Sequence, residues 1–284
     1  MKTNYVFIVL AVLFAFTSCQ ETEDDPLLTA EGKGMVVVKV TDAPFPVDLV
    51  ESAMVTIDRI ELKKDSVLGN PAKDDSAFVV FEKDTTIDLL QLSNGVTAIL
   101  AELEIPVGIY TEVRLHVVEA SIKVKGVDTL FKLKILSGTS SEIKLKIRPA
   151  LEVKEGVETE LLLDFDVSRS FKIIGNDHGK KGIKGFMFKP VVRAVCNNKT
   201  GRLEGLVIDD KNVKLSDAWV TLLSGSDTIA SSKTTQGGFY AIIGIPEGDY
   251  SVACSKEGYI DQKINKISIT ASKVLKQNFT LVKE

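Results

Sequence analysis

Ile105-Pro106-Val107-Gly108-Ile109-Tyr110 and Ile245-Pro246-Glu247-Gly248-Asp249-Tyr250 repeat one pattern, Ile-Pro-x-Gly-x-Tyr, and each leads into a run with strand character. Proline suits position i+1 of a type I turn and glycine suits i+3, so the motif predicts a chain reversal. The tyrosine that follows is placed to cover a sandwich edge while its hydroxyl reaches backbone, as corner tyrosines do. Two copies predict two sandwiches of related corner geometry.

The flanking sequence agrees. Residues 35–40, 53–57, 77–82, 111–118 and 158–167 are short, β-branched or alternating, and separated by turn formers. In the second of these the apolar face runs Val55, Ile57, then Ile60, Leu62, a one-residue slip that predicts a β-bulge near Asp58. A helical piece of one or two turns is expected only within Leu92 to Leu103. Cys196 to Gly201 is polar and turn-rich, which marks a link. Beyond it, strands are expected over 203–209, 218–223, 228–233, 239–243, 250–255, 264–270 and 274–282. The fold class is all-β: two β-sandwich domains, 34–196 and 201–284.

The N-terminal residues speak of location. Lys2 precedes an uncharged apolar run, Tyr5 to Phe16, which stops at Thr17-Ser18-Cys19. The run is below the ~20 residues that span a bilayer and matches a signal-peptide h-region. Small residues before a cysteine resemble the lipobox of bacterial lipoproteins, although Phe16 departs from the usual leucine. That resemblance implies cleavage between Ser18 and Cys19, removal of 1–18 as signal peptide, and acylation of the Cys19 thiol with fatty chains such as palmitate. Residues 19–33 then form an acidic tether. Its stretch of Gln20, Glu21, Thr22, Glu23, Asp24 and Asp25 has no apolar residue to pack. It resembles the export signal that sends some lipoproteins to the outer face of the outer membrane; a periplasmic face is the alternative. Acyl chains contribute ~0.8 kcal/mol per buried CH₂, so two or three of them anchor a protein essentially permanently.

Loss of 1–18 removes one lysine, so the formal charge goes from −4 to −5 over the 266 residues left, enough chain for two cores. An acidic exported chain is a poor nucleic-acid binder, and none is expected as partner. Two readings of Cys196, placed in the link, and Cys254, placed on a core face with Tyr250 and Val252, stay open. They form a disulfide in an oxidising compartment, or they are buried thiols, which the sequence favours.

Two sets of motifs point to families. Gly205-Leu206-Val207, Asp217-Ala218-Trp219-Val220, Gly237-Gly238-Phe239-Tyr240, the Ile245–Tyr250 motif and Gly258-Tyr259 occur in order. Together they resemble the carboxypeptidase regulatory-like domain, a transthyretin-like (prealbumin-like) Greek-key sandwich also grouped with carbohydrate-binding, starch-binding-like folds. Gln236 stands where that family often has aspartate. Val40-Thr41-Asp42-Ala43-Pro44, Val55 to Leu62, Leu89 to Gly95, the Ile105–Tyr110 motif, Asp164-Phe165-Asp166 and Lys189 to Arg193 resemble the domain-of-unknown-function family 4382. That resemblance implies a compact extracytoplasmic domain and no known chemistry.

Three stretches alternate apolar with basic residues, and period two sends Lys123, Lys125, Lys132, Lys134, Lys144, Lys146 and Arg148 outward together. Such a face either binds an anionic polymer or is a solvated face balanced by Glu158, Glu160, Asp164 and Asp166; the second reading is favoured. Asp164 and Asp166 share a strand face, and Asp42 and Asp58 are further motif carboxylates, yet no loop has calcium spacing and no metal is expected. Trp219 lies between core-facing Ala218 and Val220, so it points outward and offers a surface for a sugar ring or a neighbouring domain. His116-Val117-Val118-Glu119 copies His-x-x-Glu, but on a strand i and i+3 face opposite ways and share no metal. His178 sits in a Gly/Lys-rich loop. With no nucleophile–base pairing, no catalytic residue and no cofactor is assigned, and an enzyme is not expected. The expected role is a lipid-anchored surface binding module whose partners are the membrane and a glycan or envelope protein. A structural adhesin, a fimbria-associated subunit or a scaffold of an envelope complex is the alternative.

Overall fold

The computed structural model describes residues 32–43, 50–65, 77–133, 142–175 and 183–284, and Gly32–Glu284 form one compact unit. Signal residues 1–18, Cys19 and the acidic stretch lie outside the described residues, as do Lys134 and His178.

The first core is built from β1 (Lys33–Ala43), β2 (Val50–Lys64), β3 (Ala77–Asp88), β4 (Ala98–Pro106), β5 (Gly108–Val124), β6 (Leu130–Leu133), β7 (Glu142–Val153), β8 (Glu158–Asp166) and β11 (Val192–Cys196). Between the last two lie a single helical turn, α1 (Val167–Ser170), and a hairpin of β9 (Phe171–Gly175) and β10 (Ile183–Phe188). The main strands form one path, β3-β2-β5-β7-β11-β8-β1-β4, with β6 on the β5 edge beside β7. Strand β7 pairs with β5 on one side and β11 on the other, so the two layers of the sandwich share it. Val38, Val40, Val55, Ile57, Ile60, Leu62, Val113, Leu115, Leu163 and Phe165 fill the space between the layers.

The bulge expected near Asp58 is present: the register of β2 slips between Ile57 and Arg59 against both neighbours, which keeps Ile57 and Ile60 both buried. The helical piece within Leu92 to Leu103 is not. The helical turn is Leu89–Leu92, capped by the Asp88 carboxylate, and Ala98–Pro106 is strand β4 paired along β1. Pairing with β1 overrode a weak local preference.

The second core holds β12 (Thr200–Asp209), β13 (Trp219–Ser224), β14 (Asp227–Lys233), β15 (Phe239–Pro246), β16 (Gly248–Ser255), β17 (Gln262–Ile269), β18 (Val274–Lys276) and β19 (Phe279–Leu281). Two facing sheets, β15-β12-β18 with β19 and β14-β13-β16-β17, bury Leu203, Val220, Leu222, Tyr240, Val252, Cys254 and Phe279. The expected strand 274–282 is two pieces, both parallel to β12. At their junction a Cβ on Gly205 would stand 1.8 Å from the Gln277 carbonyl oxygen, so only glycine fits there. Cys196 ends β11 inside the first core and is not in a link; both cysteines are buried and free.

Both Ile-Pro-x-Gly-x-Tyr motifs do the same thing, though not the reversal expected of a type I turn. One residue separates β4 from β5 and β15 from β16, and in each case the chain passes from one layer to the other. Tyr110 donates its hydroxyl hydrogen to the Pro106 carbonyl and Tyr250 to the Pro246 carbonyl, each at 2.9 Å. The tyrosine locks the corner that its own motif makes.

The two cores meet through a second device. The register of β12 against β15 slips at Ile243-Gly244, and Gly244 takes φ +66°, a bulge that leaves both residues without a register partner on β12. Arg193 of β11 donates to them, Nη1 to Gly244 O at 3.0 Å and Nη2 to Ile243 O at 3.3 Å, while Nη2 also reaches Asp164 Oδ2 at 2.6 Å. A Cβ on Gly244 would clash with Leu162 and Val195, which are buried against this bulge from the first core. Asn94 and Gly95, both left-handed, form the turn before β4, and Ser232 Oγ lies 2.7 Å from Asn94 Oδ1.

Tyr110→Phe is expected to lower stability by about 1 kcal/mol, and Tyr250→Phe by less because that ring is only half-buried; urea unfolding measures both. Arg193→Ala strands a largely buried carboxylate and is expected to cost about 3 kcal/mol, of which adding Asp164→Asn returns part. Equal stability of the single and double variants contradicts this reading of Arg193.

Candidate functional site: charged faces and an aromatic cleft

The described members of the alternating basic set point outward, and four of the lysines are paired. Lys123 Nζ lies 2.8 Å from Glu51, Lys132 3.2 Å from Glu119, Lys144 3.3 Å from Glu142 and Lys146 2.8 Å from Glu112. Lys146 and Arg114 together hold the Glu112 carboxyl below its usual range. The strands do not stack into one ladder, because β6 and β7 occupy successive lengths of the same β5 edge. Lys125 is exposed in the turn after β5, and Arg148 is exposed with no acidic partner among the described residues. The face is therefore largely neutralised. Its counter-charges are not those the sequence suggested: Glu160 pairs with Lys39, Asp164 with Arg193 and Asp166 with Arg169. Parallel pairing of β1 with β8 and the cover of the second core were not visible along the chain.

Asp42, Asp164 and Asp166 do come together at the ends of β1 and β8, where Asp42 lies opposite Phe165. Asp166 caps α1 through Arg169 N at 2.9 Å. Asp42 Oδ1 accepts from Val167 N at 3.2 Å, and its Oδ2 is buried without a hydrogen-bond partner. Burial pushes the Asp42 carboxyl well above the usual carboxylate range, and Asp164 and Asp166 add to it. Burial also raises Asp164, with the Arg193 guanidinium pulling the other way. Among the described residues no three His, Cys, Asp or Glu side chains are placed to hold a metal.

His116 and Glu119 correct the reasoning about His-x-x-Glu. The register of β5 against β2 skips Val118, so both side chains turn out of the core. They remain apart in partnership: His116 Nδ1 lies 2.5 Å from Asp58 Oδ1, and Glu119 belongs to Lys132.

Trp219 stands as expected, half-exposed between buried Ala218 and Val220. It lines a cleft of about 700 Å³ with Tyr259, Asp217, Lys233, Lys256 and Asp261. Tyr259 and the lysines were not legible as partners of Trp219, since they arrive from separate strands and turns. Lys233 Nζ lies 2.9 Å from Asp217 Oδ1 and 6.0 Å from the indole centre, and that hydrogen bond holds Asp217 below its usual range. Lys256 Nζ donates to Ser216 O at 2.7 Å. Two rings and ordered polar groups around one opening suit a flat apolar face edged with hydroxyls.

This geometry defines an all-β protein of two joined sandwiches. The chain belongs to the family described as "Domain of unknown function (DUF4382)", which matches residues 33–190. A carboxypeptidase regulatory-like domain, a non-catalytic type, matches residues 202–282. No curated protein matches. Among solved structures, the chain is similar to a type II cohesin–X-dockerin complex of Acetivibrio cellulolyticus, at 20% identity over 29% of this chain and 58% of that one, TM-score 0.25. It is also similar to the TIE protein of Bacillus anthracis, at 11% identity over 88% of this chain and 41% of that one, TM-score 0.28. A third is BcpA, the major pilin subunit of Bacillus cereus, at 12% identity over 89% and 71%, TM-score 0.26. Likeness at this level carries nothing about function.

The raised Asp42 gives a pH signature. A carboxyl raised in the folded state contributes fully at low pH and loses that contribution as pH climbs from the ordinary carboxylate range through its raised value. Wild-type stability is therefore expected to fall more between pH 4 and pH 8 than that of Asp42→Asn, measured by denaturant unfolding at each pH. Parallel profiles contradict a neutral Asp42.

Proposed function

We propose that this chain is a lipid-anchored protein of the cell envelope, held in the outer membrane by acyl chains on Cys19 and facing the exterior, whose joined sandwiches form a non-catalytic binding module for carbohydrate. The observation that carries the ligand class is Trp219, half-exposed over a 700 Å³ cleft with Tyr259 and fixed polar side chains beside it. Indole stacks on the apolar face of a sugar ring, and surrounding donors and acceptors take its hydroxyls. The neutralised lysines argue against the alternative ligand class, an acidic polymer spread over the β5–β7 face. The anchor rests on the sequence around Cys19.

A second reading, a structural adhesin or fimbria-associated subunit, draws on the Arg193 seam, which suits a stiff building block. Polymers formed after proteolysis of a leading strand belong to that reading alone.

On a glycan array, the chain from Gln20 onward is expected to retain at least one glycan, and Trp219→Ala to lose it with its fold unchanged by circular dichroism. Retention that survives the substitution contradicts the Trp219 site. Metabolic labelling with tagged palmitate is expected to mark the full chain and to fail on Cys19→Ala.

A further inference from the structure

A groove of about 460 Å³ runs between the two cores and falls within the roughly 300–1,000 Å³ range of small-molecule sites. One wall comes from β7, β8, α1 and β11 of the first core; the other comes from Ile229 and Ala230 on β14 and Pro246 at the end of β15. Its charged side chains are Lys146, Arg148, Arg169, Arg193, Asp164 and Asp166. Taken one at a time, nearly all are committed. Arg193 is held by Asp164 and by two carbonyls of the second core. Arg169 is held by Asp166 at 2.6 Å, and Lys146 by Glu112 at 2.8 Å. Arg148 remains, exposed and without an acidic partner among the described residues.

We propose that this groove binds an organic monocarboxylate, its anion paired with Arg148 and its apolar body laid between Val192 and Ile229. The planar guanidinium matches a carboxylate with two parallel hydrogen bonds, a geometry that a lysine does not offer. Val191, Val192, Ala194, Ile229, Ala230 and Pro246 give the walls an apolar character that a bare inorganic anion does not need. One uncommitted cation beside two aspartates already paired with Arg193 and Arg169 suits a single negative charge, where a dianion would call for more free donors. The inference does not depend on the Trp219 cleft, which is lined by other residues.

Sodium hexanoate is the probe, with hexanamide and hexylamine as neutral and cationic controls at constant ionic strength. The protein is the chain from Gln20 onward, which contains the compact unit Gly32–Glu284. Methyl resonances of Val192 and Ile229 are followed on titration. Hexanoate is expected to shift both, saturably, and hexanamide to bind about tenfold more weakly, the worth of one charge-assisted pair. Arg148→Gln is expected to weaken hexanoate by a similar factor while leaving the rest of the spectrum in place. Lys132→Gln, on a paired lysine outside the groove, is expected to leave it unchanged. Equal binding of hexanoate and hexanamide, full affinity in Arg148→Gln, or shifts confined to one of the two methyls overturns the proposal.

Discussion

A single guanidinium joins what the sequence keeps separate. Arg193 sits on the last strand of the first core, pairs with the largely buried Asp164 carboxylate of its own sheet and donates to the carbonyls of Ile243 and Gly244 in the other core. Those carbonyls are available only because β15 bulges there, and the bulge is possible because Gly244 adopts a left-handed backbone with no side chain to strike Leu162. Each component would be costly alone: an unpaired aspartate, two orphaned carbonyls, an unpaired arginine. Together they satisfy one another and close an apolar contact between Leu162, Val195 and the bulge.

The same economy of charge governs the surface. Strands that alternate apolar and basic residues must put their cations outside, and a sheet face cannot carry them bare without repulsion. Here glutamates on the same or neighbouring strands answer four of them, Lys123, Lys132, Lys144 and Lys146. With the lysine face largely paired and Asp42 buried, the aromatic cleft at Trp219 and the groove at Arg148 are among the concave surfaces that stay open.

Much of the fold was legible because period two and turn chemistry are local. The apolar slip from Ile57 to Ile60 announced its bulge, the alternation around Trp219 placed the ring outside, and the repeated Ile-Pro-x-Gly-x-Tyr announced paired corners whose tyrosines bond backbone. Pairing partners were not local and were misjudged. Leu92 to Leu103 reads as holding a helical turn or two until β1 supplies a ladder from Ala98 onward, and Glu160 and Asp164 read as solvated until Lys39 and Arg193 arrive from distant strands to pair with them. The seam did have a signal: an isolated glycine, Gly244, inside the apolar run Phe239 to Pro246 marks a bulge or a close approach. Asp42, with its unpartnered oxygen, had none, since nothing along the chain tells a buried aspartate from an exposed one.

The central claim is that the two cores, bridged at Arg193, behave as one cooperative body. Differential scanning calorimetry of the chain from Gln20 onward tests it most directly, by comparing the calorimetric with the van't Hoff enthalpy. One transition with a ratio of about 1 is the result the account predicts. Two resolved transitions, or a ratio of about 2, would mean that the cores unfold independently and would contradict it.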